Sequence, residues 1–186
     1  MHYPTGVKTS CNRHISYSNR GMSLEDDLNH TNCYYLNHNI AVIYKKPTPI
    51  CIRKVDYNTR CDAIIKDAIF KIPSTTDYNG IYKGKYIDFE AKETKNKTSF
   101  PLSNIHEHQI NHLKNILNHG GIAFIIVRFI SLNRTYYLGA DLLINFKENC
   151  NRKSIPLEFF NKYGFLISNG YNPRVDYIKI IEKLFF

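Results

Sequence analysis

The residue pattern predicts a mixed α/β domain, a sheet flanked by helices, and three observations lead there. Helical and strand periods follow one another as helix, strands, helix, strand, strand, helix, without the regular alternation of a doubly wound sheet. A length of 186 residues with 43% hydrophobic content suffices for one ordinary core. An aromatic share of 13%, with 14 Tyr, sets the chain apart from disordered compositions.

Residues 1–19 are polar and without period, and they read as a flexible arm whose basic residues, Lys8 and Arg13, continue into Arg20. Residues 20–186 read as a single domain. Ser23 is placed to cap a helix whose first turn holds Glu25, Asp26 and Asp27, acids that suit the positive end of the helix dipole. Leu24, Leu28 and Tyr35 recur at helical spacing, and the helix should end near Asn37. Ile40 to Tyr44 is a short β-branched run that reads as a buried strand, broken by Lys45-Lys46-Pro47. Ile50 to Val55 reads as a further strand, Tyr57-Asn58-Thr59 as a turn, and Ala63 to Ile69 as a short helix. The section from Lys45 to Lys71 is rich in cations and reads as a projecting basic hairpin.

Ser74 to Gly80 is expected to be extended. Lys83-Gly84-Lys85 is a turn signal, and Tyr86 to Lys92 alternates as a strand. Asn104 to Asn118 has the apolar spacing of an amphipathic helix, with Ile105, Ile110, Leu113 and Leu117, and Gly120-Gly121 stops it. Ile122 to Ile130 is the strongest strand pattern, and Thr135 to Leu138 should pair with it through Asn133-Arg134. Short helices are expected over Ala140 to Phe146 and Val175 to Leu184.

Composition narrows the function. Lys+Arg number 25 against 16 Asp+Glu, a formal charge of +9, which favours an anionic partner. Nothing resembles a basic amphipathic helix with a broad apolar face, so nucleic acid is preferred to a membrane surface. No apolar run approaches the roughly 20 residues that span a bilayer, and the start lacks the apolar stretch of a secretion signal. The five cysteines are scattered, with no CxxC pair, and read as reduced thiols of a soluble cytosolic (cytoplasmic) protein. No glycine-rich nucleotide-binding motif occurs.

The chemistry centres on Thr75-Thr76-Asp77-Tyr78-Asn79-Gly80 and Ile87-Asp88-Phe89-Glu90-Ala91-Lys92. Side chains alternate faces in a strand, so Asp88, Glu90 and Lys92 share one face while Ile87, Phe89 and Ala91 share the other. The intervening turn folds the Asp77 segment back beside Glu90. Phosphodiester hydrolysis uses such a group: hard oxygen ligands hold Mg²⁺, which neutralises phosphate charge and activates a water. A lysine two residues beyond the Glu stabilises charge in the transition state. Two carboxylates and a lysine are a sufficient minimum, although E-x-K by itself occurs often on solvated strand faces.

The spacing of Asp77, Glu90 and Lys92 is similar to that of the restriction-endonuclease-like superfamily, with Thr76 where many members carry Pro. Three longer strings resemble the RecU-type Holliday junction resolvases: Tyr17 to Met22, Ser74 through Lys95, and Gly170 to Tyr177. The resemblance runs from about residue 17 to the C-terminus. It implies a restriction-endonuclease-like mixed sheet flanked by helices, with a projecting basic stalk within about 45–71. It also implies an Mg²⁺-dependent endonuclease, with Mn²⁺ as an alternative, that nicks four-way junction DNA in pairs during recombination and repair. Residue by residue, it implies Thr75, Asp77, Glu90 and Gln109 as the metal site and Lys92 as the transition-state stabiliser. Arg20, Lys45, Lys46 and Arg60 would face DNA. A homodimer and contact with a strand-exchange recombinase are implied as well.

Other readings stay open. Glu25 is either a further acid near the metal or a helix-dipole residue, and Asp88 either joins catalysis or supports Lys92. His106, His108, His112 and His119 read as a solvated helix face rather than a zinc site. An ordinary endonuclease and a non-catalytic junction or duplex binder are the competing functions.

Overall fold

The structure is a computed structural model that describes residues 23–56, 63–70 and 75–186. The arm over 1–19, the Tyr17–Met22 string, the turn at Tyr57–Thr59, and both Arg20 and Arg60 lie outside the described residues. The chain divides into two compact units: Met22–Lys46 with Thr75–Phe186 form one, and Pro47–Ser74 belong to the other.

The larger unit is built on a six-stranded sheet whose strands lie in the order Val42–Lys45 (β1), Tyr78–Tyr82 (β4), Lys85–Thr94 (β5), Ile122–Phe129 (β7), Arg134–Gly139 (β8) and Phe165–Ile167 (β10). Helix α1 spans Leu24–Asn37 and begins as the sequence predicts, with the Ser23 side chain accepting from Asp26 N and the Asp26 carboxylate accepting in return. Strand β1 is Val42–Lys45. Strands β4 (Tyr78–Tyr82) and β5 (Lys85–Thr94) form a hairpin around Lys83-Gly84. Both turn residues have positive φ, 45° and 78°, the tight turn that matches strand twist. Gly80 has a different reason: a Cβ there would come within 2.1 Å of the Val42 carbonyl oxygen, so only glycine lets β1 lie against β4.

After β5 come the short strand β6 (Ser99–Pro101) and helix α2 (Glu107–Asn118). Strand β7 (Ile122–Phe129) pairs parallel to β5, and β8 (Arg134–Gly139) pairs antiparallel to β7. Helix α3 (Ala140–Asn149), β9 (Ser154–Pro156), α4 (Leu157–Tyr163), the edge strand β10 (Phe165–Ile167) and α5 (Ile178–Phe185) complete the chain. The four elements β6, β9, α4 and β10 have no counterpart in the sequence reading, because three-residue strands and a seven-residue helix are too short for a period to emerge. Among the described residues no helix is long and apolar enough to cross a membrane.

Each face of the sheet carries its own core. On one, Ile87, Phe89, Phe124 and Ile126 pack against Leu24, Leu28 and Tyr35 of α1 and Ile178 and Ile181 of α5. Tyr78, Phe89, Phe124 and Tyr137 stack across four strands at centroid spacings of 4.9, 4.7 and 4.4 Å. On the other face, Ala123, Ile125, Val127, Tyr136 and Leu138 pack under α2, α3 and α4. Parallel register puts Asp88 beside Ala123, Glu90 beside Ile125 and Lys92 beside Val127, so the charged side of β5 lies on this second, helix-covered face.

In the smaller unit, β2 (Ile50–Asp56) and β3 (Ile64–Phe70) form an antiparallel hairpin in which every strand residue is exposed. The helix expected over Ala63 to Ile69 is therefore corrected to a strand. Its apolar residues, Ala63, Ile64, Ile65, Ala68 and Ile69, mimic a helical spacing. The backbone is nonetheless committed to the ladder with β2, from Ile50 opposite Phe70 to Asp56 opposite Ile64, and its β-branched residues favour that outcome.

Candidate active site

Glu90 sits mid-strand in β5, fully buried. Its Oε1 accepts a 2.7 Å hydrogen bond from Gln109 Nε2 of α2 and pairs with the ammonium of Lys92, the next residue on the same face. Its Oε2 is buried without a hydrogen-bond partner. Asp77 immediately precedes β4, and its Oδ2 accepts from the backbone N–H of Ala91, the residue after Glu90, at 3.0 Å. Burial, reinforced by the Asp77 charge, raises the Glu90 pKa from 4.5 to about 7, against the opposing pull of Lys92. The nearby negative charge of Asp77 and the unpartnered Oε2 make this pair of carboxylates suited to sharing a cation.

The other expected ligands are placed less simply. Gln109 is buried at the Glu90 carboxyl, but its Oε1 accepts from His106 N at 3.0 Å and its amide nitrogen faces Glu90. Thr75 is exposed, and its Oγ1 accepts from Lys46 Nζ at 3.1 Å. Lys92 is 26% exposed along its side chain, so its ammonium meets both Glu90 and solvent. Among the described residues there is no group of three or more His, Cys, Asp or Glu side chains placed to hold a metal.

Two residues from the same face lie deeper. Asp88 is fully buried and accepts from Thr76 Oγ1, from Lys46 Nζ at 2.7 Å and from Tyr86 OH at 3.0 Å, with His112 Nε2 at 3.2 Å. Lys46, expected in a solvated basic section, is instead 14% exposed and paired with this carboxylate. Lys45 points elsewhere and forms an exposed ion pair with Glu25. Glu25 is thus tied to Lys45, while Asp27 binds Arg128 at 2.7 Å and Arg174 at 3.0 Å. Sequence reasoning passed over Lys46, Thr76 and His112 as members of one cluster because their partners are 12 to 66 residues away. The one available signal was a buried strand pattern that carried Asp88 where an apolar residue would fit.

The pattern of the family described as "RecU: Recombination protein U" matches residues 19–183, nearly the whole chain. The chain belongs to the RecU family. Its similarity extends to a protein of Geobacillus sp. (strain WCH70) named Holliday junction resolvase RecU, 60% identical over 174 residues, or 92% of this chain and 87% of the relative. A protein of the same name from Bacillus cereus (strain AH820) is 57% identical over 182 residues, covering 96% and 90%. Hjc of Archaeoglobus fulgidus, a Holliday junction resolvase of known structure, overlaps 71% of this chain and 83% of its own, with a TM-score of 0.39 and 11% identity. The six-stranded mixed sheet with helices on both faces is the fold that this RecU family member adopts.

Proposed function

We propose that this RecU family member is a divalent-metal-dependent endonuclease that resolves Holliday junctions by nicking two strands of a four-way junction in homologous recombination and DNA repair. The observation that carries this reading is Glu90: buried, one oxygen held by Gln109 and Lys92, the other without a partner beside Asp77. Such a pair fits a hard cation that retains most of its waters, and Mg²⁺ is the ion of choice, with Mn²⁺ as an alternative. When bound, the ion supplies Lewis-acid stabilisation of phosphate charge and an acidified water.

The chain's own residues supply the rest. Asp77 and Glu90 would hold the ion, with Thr75 and Gln109 completing its surroundings. For Gln109 this requires a turn of the amide that brings its oxygen to the ion in place of the nitrogen now on Glu90. Lys92, partly exposed on the same face as Glu90, would direct its ammonium at the charge that builds on the scissile phosphate. Arg20, Lys45 and Arg60 are assigned to DNA backbone contact, residues 1–19 to a DNA-contacting arm, and the hairpin within Pro47–Ser74 to a stalk that engages the junction. A cytoplasmic homodimer would place two sites on strands of like polarity, which accounts for paired nicks. A strand-exchange recombinase is a suitable partner.

The test incubates the purified chain with a labelled four-way junction and a matched linear duplex, in Mg²⁺ or EDTA, beside its Asp77→Asn variant. Symmetric, metal-dependent nicking of the junction alone, lost in Asp77→Asn while junction binding survives, is expected. Equal cutting of the duplex would favour a general endonuclease. Binding without cutting under any divalent ion would leave a binding protein.

A further inference from the structure

Resting on the metal-nuclease reading above, we infer that Lys46 and Asp88 are positioning residues of the metal site, acting on the segment Thr75–Asp77. Asp77 is not within a strand. It stands one residue before β4, so the ladder that locates Glu90 does not by itself locate Asp77. Lys46 fills that gap twice. Its backbone N–H donates to the Asp77 carbonyl oxygen at 2.8 Å. Its ammonium then donates to Thr75 Oγ1 at 3.1 Å, Thr76 Oγ1 at 2.5 Å and Asp88 Oδ2 at 2.7 Å.

An ammonium has three hydrogens to give, and four protein atoms, these three and His112 Nε2 at 3.5 Å, compete for them. None is left for a DNA phosphate, the role that the neighbouring Lys45 is free to share by leaving its exposed pair with Glu25. Asp88 is the anchor in this arrangement. It is rigid on β5, two residues from Glu90 on the same face, and it fixes the ammonium from a known distance along the strand. Thr76 links the two, donating to Asp88 while accepting from Lys46. The chain thus measures the placement of Asp77 from the same strand that carries Glu90. A buried ion pair is seldom more stabilising than well-packed apolar side chains, so its use here, where Ala123 and Ile125 show that the face tolerates apolar residues, points to placement.

The experiment compares the full chain with Lys46→Met, Asp88→Asn and the double variant. Mn²⁺ binding is followed by titration calorimetry without DNA, single-turnover nicking at saturating junction gives the rate, and junction affinity is measured in EDTA. Supporting groups behind metal ligands change metal affinity or activity by about 10–100-fold. Each single variant should therefore bind Mn²⁺ at least tenfold more weakly and nick correspondingly slower, with junction affinity within about twofold of the parent. The isosteric Asp88→Asn keeps this readable even where Lys46→Met folds poorly. Unchanged Mn²⁺ affinity with a lowered melting temperature would reduce the pair to a structural one and overturn the inference. So would a Lys46→Met chain that loses junction affinity and salt dependence while nicking at the full rate once bound, which marks a phosphate contact. A parent chain that binds no Mn²⁺ would overturn the nuclease reading itself and this inference with it.

Discussion

Asp88 and Glu90 are two residues apart on the same face of the same strand, equally buried, and the protein treats them in opposite ways. Asp88 accepts from a threonine, a tyrosine and a lysine, with a histidine ring nitrogen 3.2 Å away. Glu90 has a lysine and an amide on one oxygen and nothing on the other, and its pKa climbs to about 7. Burial alone therefore does not distinguish the carboxylate proposed to bind metal from the one proposed to support it. The unsatisfied hydrogen-bonding capacity does, since leaving a buried polar atom unpaired costs free energy that a bound cation would offset.

Four perturbations sharpen or break that contrast. The largest should come from Glu90→Gln, which keeps the shape and removes the charge: nicking should fall by roughly a thousandfold, about 4 kcal/mol of barrier, with the melting temperature in EDTA unchanged or raised. A variant that still nicks at a tenth of the parent rate would remove Glu90 from the metal site. Next, Asp88→Ala leaves the Lys46 ammonium facing a buried vacancy. Urea unfolding should show a loss of about 3 kcal/mol, and a loss below 1 kcal/mol would mean that Asp88 is no anchor.

The third concerns pH. The folded-state pKa of Glu90 lies above its ordinary 4.5, so folding favours the protonated form. Its contribution is fully present below about pH 4.5 and is lost as pH rises through about 7. In EDTA the parent should therefore lose melting temperature across that window relative to Glu90→Gln, and saturating Mg²⁺ should reverse the trend. Parallel melting curves for the two proteins across that range would contradict the assigned burial. The smallest effect belongs to the exposed pair Lys45–Glu25, whose side chains are 44% and 54% exposed. Glu25→Gln should change stability by no more than about 0.5 kcal/mol and leave nicking intact, whereas a large loss of nicking would return Glu25 to the list of catalytic acids.

What could be read from the residues alone follows the range of the interactions involved. The cap at Ser23, the alternation of β5, the turn at Lys83-Gly84 and the apolar run of β7 are local, and each was legible within a few positions. Asp77, Glu90 and Lys92 were singled out because their spacing resembles a family pattern, and the fold brings Glu90 and Lys92 into an ion pair. Ala63 to Ile69 misled because its composition satisfies a helical spacing while its pairing partner, β2, decides the conformation. The Lys46–Asp88 pair was illegible for the opposite reason. Lys46 stands beside Lys45 in a run of cations, and only the fold brings Asp88, 42 positions later, under its ammonium. The Glu90–Gln109 contact likewise spans a strand and a helix that no local rule joins.

The position of Asp77 outside the sheet ladder has a consequence for how the protein fails. Glu90 rides on β5, paired with Ile125 of β7 one residue beyond the end of the β4 ladder at Phe89, where amide exchange with solvent should require global unfolding. Thr75–Asp77 should open in a smaller, separate fluctuation once its few fastenings release. Activity should then disappear at urea concentrations where the sheet still holds its amide protons. The half of the site on the strand outlasts the half tied to it.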